Sequence, residues 1–493
     1  MTTNGTSKSA AVRARLNHPV IDSDGHMIEF EPGFLDYLRQ VGGQKIVDRY
    51  LSDDRNTGAW GKLFNWYRLS PDERREQHTT RSPWWALPTK NTLDRATAVL
   101  PKLLHERMGD IGLDFTVLYP SLGLAFPHIE DEELRRATCR AANMFYADYF
   151  RDYADRMTPA GCIPMHTPEE AIEELEYARN TLGLKAIMMA GHIQRPIPAA
   201  VRKDAGVGLH AFWIDNFCID SAYDYDPVWA KCVELKLPPT FHSPGMGWGS
   251  RTTTNYMYNH TGHFAAAGEL ICKAMLMGGV TKRFPTLKVG FLEAGVGWAS
   301  DLYAGIIARW KKRNPAGLEN YRPENLNKEL WFDLHRRYGD ATVQGKLEEL
   351  HKDKSTLIGT REDPSKLDDW VRCGVEKAED IKNLFVPNFY FGCEADDPLN
   401  ATAFNSKMNP FGARLGAIFS SDIGHWDVPD MTEVLEEAYE LVEDGVITEE
   451  DFCDFVFTNP AKMWAGMNPD FFTGTVVEQD VNKLLASPAH EKP

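Results

Sequence analysis

Along most of this chain, short apolar runs alternate with longer stretches of helical periodicity. The apolar runs predict strands over 20–23, 115–120, 158–164, 184–189, 237–241, 287–292, 389–392 and 416–421. Between them, Leu134, Ala137, Ala141, Phe145 and Tyr149 repeat at helical spacing and predict a helix over 130–155. Thr167-Pro168-Glu169-Glu170 is a helix start, with a threonine cap, a proline in the first turn and acids behind it. Further helices are expected over 167–182, 226–235, 264–278, 297–312, 429–443 and 448–457.

Short buried strands alternating with amphipathic helices mean a parallel sheet, and eight such units predict an α/β fold, a distorted (β/α)8 TIM barrel. No Gly-x-Gly-x-x-Gly follows any strand, which disfavours a doubly wound nucleotide-binding sheet. The barrel is expected over 18–475, with two large insertions at about 31–107 and 313–385, a flexible arm over 1–17 and a tail over 476–493. The first insertion carries Trp60, Trp66, Trp84 and Trp85; filling a subsidiary core is a plainer role for them than touching substrate.

In such barrels the chemistry sits at the carboxyl ends of the strands. Here the first strand leads into Asp24 and His26, two apart and so on one side of an extended chain. The fifth ends in His242, the sixth in Glu293 and the eighth in Asp422. Each alone reads as a polar residue closing a strand; together they read as a metal-ligand set. His260 and His263 precede the helix after the fifth strand and are candidates for a second metal beside Glu293, against the plainer reading of capping or core histidines. His192, Arg195, Arg251, Trp248, Trp298 and His425 follow strand ends and are candidates to hold a substrate, with Trp426 as a further wall. For the arginines the plainer alternative is a surface ion pair.

Composition narrows the partners. The 493 residues carry a net charge of −17, which argues against nucleic acid and anionic membrane as main partners. A small anionic substrate remains compatible, because a local site can be positive on an acidic protein. The eight cysteines form no Cys-x-x-Cys pair and several sit in apolar contexts, so buried thiols are expected. The first 16 residues lack an apolar signal core and no run is long enough to span a membrane, so a cytoplasmic location is expected.

Several motifs carry a resemblance. Asp22-Ser23-Asp24-Gly25-His26 with the downstream Glu29, the Phe-His-Ser-Pro-Gly of 241–245, the Phe-Leu-Glu-Ala-Gly-Val-Gly-Trp of 291–298, the Ser-Ser-Asp-Ile-Gly-His-Trp-Asp of 420–427 and the late Asn459-Pro460-Ala461-Lys462-Met463-Trp464 resemble the amidohydrolase superfamily. The resemblance is to its family 2 branch, that of aminocarboxymuconate semialdehyde decarboxylase and related aromatic-acid decarboxylases. It implies Asp24, His26, His242 and Asp422 as ligands. Two positions depart from the branch pattern: Asp24 stands where the decarboxylase has a histidine, and Glu293 where a histidine is common. Both replace nitrogen by anionic oxygen, and an oxygen-rich set suits manganese or iron.

Three functions follow. In the first, one divalent metal, zinc or manganese, supports hydrolysis or decarboxylation of a small organic acid, possession of an aromatic ring being compatible, with Glu293 or Asp422 as base. In the second, two metals, Fe/Mn or Fe/Fe, bridged by Glu293 activate oxygen in a nonheme monooxygenase. That enzyme needs an electron donor and a partner subunit, since the chain has no flavin or iron–sulfur motif. In the third, the chain is a non-catalytic barrel subunit supporting a paralogue. The resemblance implies a homo-oligomer.

Overall fold

The structure is a computed structural model that describes residues 6–52, 66, 69–81, 89–204, 206–207, 211–242, 252–352 and 366–487. Its centre is an eight-stranded sheet in the order β1-β2-β3-β4-β7-β8-β9-β10. The strands are β1 (Ile21–Met27), β2 (Phe115–Pro120), β3 (Met157–Ile163), β4 (Ala186–Met189), β7 (Pro239–Phe241), β8 (Val289–Phe291), β9 (Phe389–Cys393) and β10 (Gly416–Phe419). Every neighbouring pair is parallel. The sheet curls until its edges meet: Asp422 N–H donates to Asp24 O at 3.0 Å and His26 N–H to Ile423 O at 2.9 Å. The result is the nearly closed TIM-type barrel that the eightfold alternation predicts.

The strands read as apolar runs because both of their faces are covered, by helices outside and by packed side chains inside. β2, β3 and β4 are buried at every residue. β1 is equally buried, yet it reads Ile-Asp-Ser-Asp-Gly-His-Met. It runs to Met27, past the expected end at residue 23, so Asp24 and His26 lie inside the strand. Its register explains the break in pattern. Asp22 pairs with Thr116 and Gly25 with Leu118, so β1 spends one residue more than β2 over the same interval, a bulge. Asp22 is thereby turned away from Asp24. Gly25 is required here, since a Cβ would lie 2.7 Å from Asp22 Oδ2 and 2.8 Å from Thr116 Oγ1.

The loop of 190–225 holds an antiparallel hairpin that apolar patterning does not reveal, β5 (Ile193–Pro196) with β6 (Phe212–Asp215). The first insertion is helical where described: Glu31–Leu51, Pro71–Glu76, Thr92–Val99 and Pro101–Ile111. The helix Glu31–Leu51 packs on Glu132–Tyr149 through Tyr37 against Phe145 (5.8 Å between ring centroids) and on the turn Gly123–His128 through Phe34 against Phe126 (5.3 Å). Trp66 lies under the Arg74 guanidinium at 4.2 Å, whereas Trp60, Trp84 and Trp85 lie outside the described residues. In the second insertion Lys328–Tyr338 buries no residue, while Ala378–Phe385 packs Ile381 and Phe385 against the barrel.

The expected flexible arm is a helix over Lys8–Arg15. Ser7 caps it, Val12 is buried, and Ser9 Oγ accepts the N–H groups of Leu435 (3.0 Å) and Glu436 (3.2 Å). Short polar residues hid this docking from the hydrophobic pattern. The expected irregular tail likewise contains a helix, Glu478–Leu485, with Val477 and Val481 buried. All eight cysteines are free thiols, seven of them buried. Among the described residues no helix is long and apolar enough to cross a membrane.

Candidate metal centre

Five side chains from β1 and the ends of β7, β8 and β10 converge inside the barrel mouth. His26 Nε2 and His242 Nε2 face each other at 3.0 Å. Asp24 Oδ1 lies 3.2 Å from His242 Nε2 and 3.5 Å from His26 Nε2. Asp422 Oδ1 is 3.3 Å from His26 Nε2, and Glu293 Oε2 is 3.5 Å from His242 Nε2. Two overlapping sets of ligand atoms lie within 4.8 Å of one another, Asp24–His26–His242 and His26–Glu293–Asp422–His425.

The local backbone aims these groups. Asp422 (φ 50°) and Glu293 (φ 52°) both occupy the left-handed region, which a glutamate enters at a cost. The surroundings hold them there. Leu292 N–H donates to Phe241 O, and the Ala294 and Gly295 N–H groups both donate to Gly392 O, so the chain kinks at Glu293. At β10, Ser421 donates to Asp22 through its N–H (2.9 Å to Oδ1) and its Oγ (2.7 Å to Oδ2). Thr116 Oγ1 also donates to Asp22 Oδ2 at 2.7 Å. Asp22 is therefore the tie between β1, β2 and β10 and is no part of the cluster. Glu29 is a similar tie, accepting the N–H groups of Leu122 (2.9 Å) and Gly123 (2.7 Å) and the Tyr146 hydroxyl (2.8 Å).

Electrostatically the cluster lacks a positive charge. Burial pushes the Asp422 and Glu293 carboxyls well above the usual range, and the nearby Asp427 carboxylate pushes them further. Burial holds the His26 and His425 imidazoles well below theirs, and neighbouring imidazoles add to the effect. Both oxygens of Asp24 are buried without a hydrogen-bond partner. A buried carboxylate left that way costs several kcal/mol, of the order expected for an uncompensated ion. A divalent cation among two imidazole nitrogens and three carboxylates would reverse each of these trends, so the residues fit a metal.

The other expected residues divide. His425 is fully buried behind Asp422, with Nδ1 at 2.7 Å from Asp422 Oδ1, Nε2 at 3.1 Å from Ser121 Oγ and its ring stacked on His26 at 3.6 Å. His260 and His263 join neither set of ligand atoms. His260 packs against Tyr256 and Trp426, and His263 against Phe264. Arg195 is engaged elsewhere, paired with buried Asp215 and bonded to Tyr225 Oη and His166 O (both 2.9 Å). It fastens the β5–β6 hairpin, the role of an ordinary ion pair. His192 is buried beside His128, with ring centroids 6.4 Å apart. Trp298 packs between Phe291 and Phe391. Arg251 and Trp248 lie outside the described residues. Trp426 does line a cleft of about 500 Å³ that reaches Glu293.

Sequence reasoning missed Ser121, Glu394 and Asp427. Ser121 has no signal of its own. Glu394 follows β9 directly, so the strand-end logic that found Glu293 could have found it too. Burial, with the charges of Asp427, Asp396, Asp397 and Asp24, raises its carboxyl to about 8.

Residues 109–335 match the family described as Amidohydrolase. That stretch holds His242 and Glu293, while Asp24, His26 and Asp422 lie outside it. Among solved structures, 2,6-dihydroxybenzoate decarboxylase from Rhizobium is 15% identical, covers 91% of this chain and 98% of its own, with a TM-score of 0.47. An amidohydrolase from Mycobacterium avium subsp. paratuberculosis is 17% identical, covering 91% and 100%, with a TM-score of 0.49. The 5-carboxyvanillate decarboxylase of Novosphingobium aromaticivorans, complexed with manganese and 4-hydroxy-3-methoxy-5-nitrobenzoic acid, is 15% identical, covering 94% and 99%, with a TM-score of 0.47. The family match runs from β2 to β8 of the parallel barrel, and over that stretch the chain is similar to the amidohydrolase family.

Proposed function

We propose that this protein is a metal-dependent hydrolase or decarboxylase of small organic molecules, with one divalent cation, manganese or zinc, held by Asp24, His26, His242 and Asp422. The observation that carries the reading is Asp24, whose two buried oxygens have no hydrogen-bond partner and whose Oδ1 faces both imidazoles. When bound, such a cation supplies Lewis-acid polarisation of a substrate oxygen and lowers the pKa of water.

The protein's own residues do the rest. Glu293 is the base, because among these five side chains it alone also lines the open cleft. Its Oε2 removes a proton from the attacking nucleophile, or delivers one to the carbon or nitrogen that leaves. His425, fixed by Ser121 Oγ, orients Asp422. Phe264 and Trp426 exclude water from one side of the cleft.

The second set of ligand atoms, His26, Glu293, Asp422 and His425, favours one alternative, a dinuclear oxygen-activating centre. It would draw on His425 in place of His260 and His263. Metal analysis of the purified chain separates the two. One manganese or zinc per chain with no oxygen uptake is expected; two metals including iron, with oxygen uptake, would overturn the single-metal reading. Glu293→Gln is expected to keep its metal and lose turnover.

A further inference from the structure

The second insertion carries a surface that the chain itself leaves uncovered. No residue from 319 to 350 is buried, yet the segment holds a helix, Lys328–Tyr338. Leu330, Leu334 and Tyr338 recur every fourth residue along it and are 51%, 40% and 78% exposed, an apolar stripe along one face. An 11-residue helix without a buried face is marginal in water, because packing supplies most of a helix's stability. The segment is also basic. Residues 309–338 carry eight lysines and arginines against four acids, on a chain of net charge −17. Arg336 and Arg337 pair with Asp333 of their own helix, exposed contacts that contribute little.

The complementary surface is on the same chain. From Glu433 to Asp454 there are ten carboxylates and no lysine or arginine. The helix Val434–Glu443 and the turn after it expose Glu440, Glu443, Asp444, Glu449 and Glu450 around Val446, itself 39% exposed. Lys8 covers Glu433 and Glu436, and Arg15 reaches Glu443. Among the described residues no cation pairs with Glu440, Asp444, Glu449 or Glu450. The insertion leaves the helix that follows β8, and the acidic helix follows β10; β9 alone stands between those strands, so both surfaces lie on one side of the barrel. Two chains of net charge −17 repel one another, and a basic element at the contact makes it attractive at short range. A twofold axis on that side lays each insertion helix on the other copy's acidic helix, so that one contact is made twice. We infer that Lys328–Tyr338 of one copy docks on the acidic helix Val434–Glu443, and on the turn that runs on to Glu450, of a second copy of this chain.

The test is sedimentation velocity of the full chain over a concentration series, with amide hydrogen exchange read over residues 328–338. A dimer is expected at about 0.15 M salt, weakening severalfold at about 1 M as the charges are screened. Leu330→Ser with Leu334→Ser is expected to give a monomer that keeps the circular-dichroism spectrum of the wild type, since neither side chain is buried. Arg336→Glu with Arg337→Glu should weaken association by about tenfold, and so should Glu440→Lys with Asp444→Lys. Placing all of these charge reversals in one chain should restore it, which damage to either surface alone would not do. The insertion helix is expected to exchange slowly in the dimer and fast in the monomeric variant. A wild-type chain still monomeric at about 0.1 mM, a dimer indifferent to the leucine substitutions, or a charge reversal without rescue overturns the proposal. So does a helix protected from exchange in the monomer, because it would then need no second copy to cover it.

Discussion

Asp24 and His425 act on the centre in different ways. Asp24 is an anionic donor with nothing else to bond, so Asp24→Asn removes charge where it matters most. Loss of stoichiometric metal is expected from that variant and from His242→Ala, read by elemental analysis after dialysis. His425 touches Asp422 from behind, so His425→Ala is expected to weaken metal affinity by about 10–100-fold without abolishing it. Competition with a chelator of known affinity reads this directly. A metal-free His425→Ala protein would make the imidazole a ligand and lend weight to the dinuclear arrangement. Ser121→Ala, which removes only the hydroxyl behind His425, should fall between His425→Ala and wild type.

At the scale of elements, the site depends on how β1 is fastened to its neighbours. The bulge at residues 22–25 lets one strand present both a structural acid, Asp22, and a cluster acid, Asp24. Gly25→Ala would press a methyl group into Asp22 and Thr116 and is expected to cost about 1–3 kcal/mol, an overpacking penalty. Glu29 fastens the exit of β1 to the start of the turn Gly123–His128 with two hydrogen bonds, from Leu122 and Gly123, and to the helix Glu132–Tyr149 with a third, from Tyr146. Glu29→Ala leaves two buried N–H groups unpaired and should cost about 2–4 kcal/mol, seen as a lower urea midpoint with unchanged slope. If both variants unfold at the wild-type midpoint, the ties are not what holds the mouth together.

For the whole molecule, three histidines beyond β2, β3 and β4, His192 buried and His128 and His166 half-buried, couple stability to pH. Burial lowers His192 to about 4, His128 to about 3 and His166 to about 2. The unfolded chain protonates each near 6.5, so below that pH the unfolded state binds more protons and the fold loses stability until the folded values are reached. Buried acids with raised values, such as Glu29, pull the other way, so the comparison belongs between variants. His192→Gln is expected to gain on wild type by roughly 3 kcal/mol between pH 6.5 and 4, the equivalent of a fall from 6.5 to about 4. Melting temperatures across that range check it; a constant gap would mean that His192 titrates normally in the fold.

Much of this was legible in the chain itself. Strands buried on both faces must be short and apolar, and a barrel needs eight of them with helices between, so patterning alone places the architecture. Because chemistry collects at strand ends, Asp24, His26, His242, Glu293 and Asp422 could be named without knowing how they meet. Tertiary structure alone decided the rest. The bulge that parts Asp22 from Asp24 is a matter of register, which composition does not encode. Arg195 and Trp298 look like site residues along the chain, but their partners, Asp215, Tyr225, Phe291 and Phe391, are supplied by folding. The docked helix Lys8–Arg15 buries only Ser9 and Val12 and is otherwise held by polar ties such as Arg13 to Asp114, too little apolar surface to disturb a polar pattern. The carboxyl lining of the cleft is likewise a sum over separate loops, since Glu293, Glu394, Asp397 and Asp427 share a surface only once β8, β9 and β10 stand side by side.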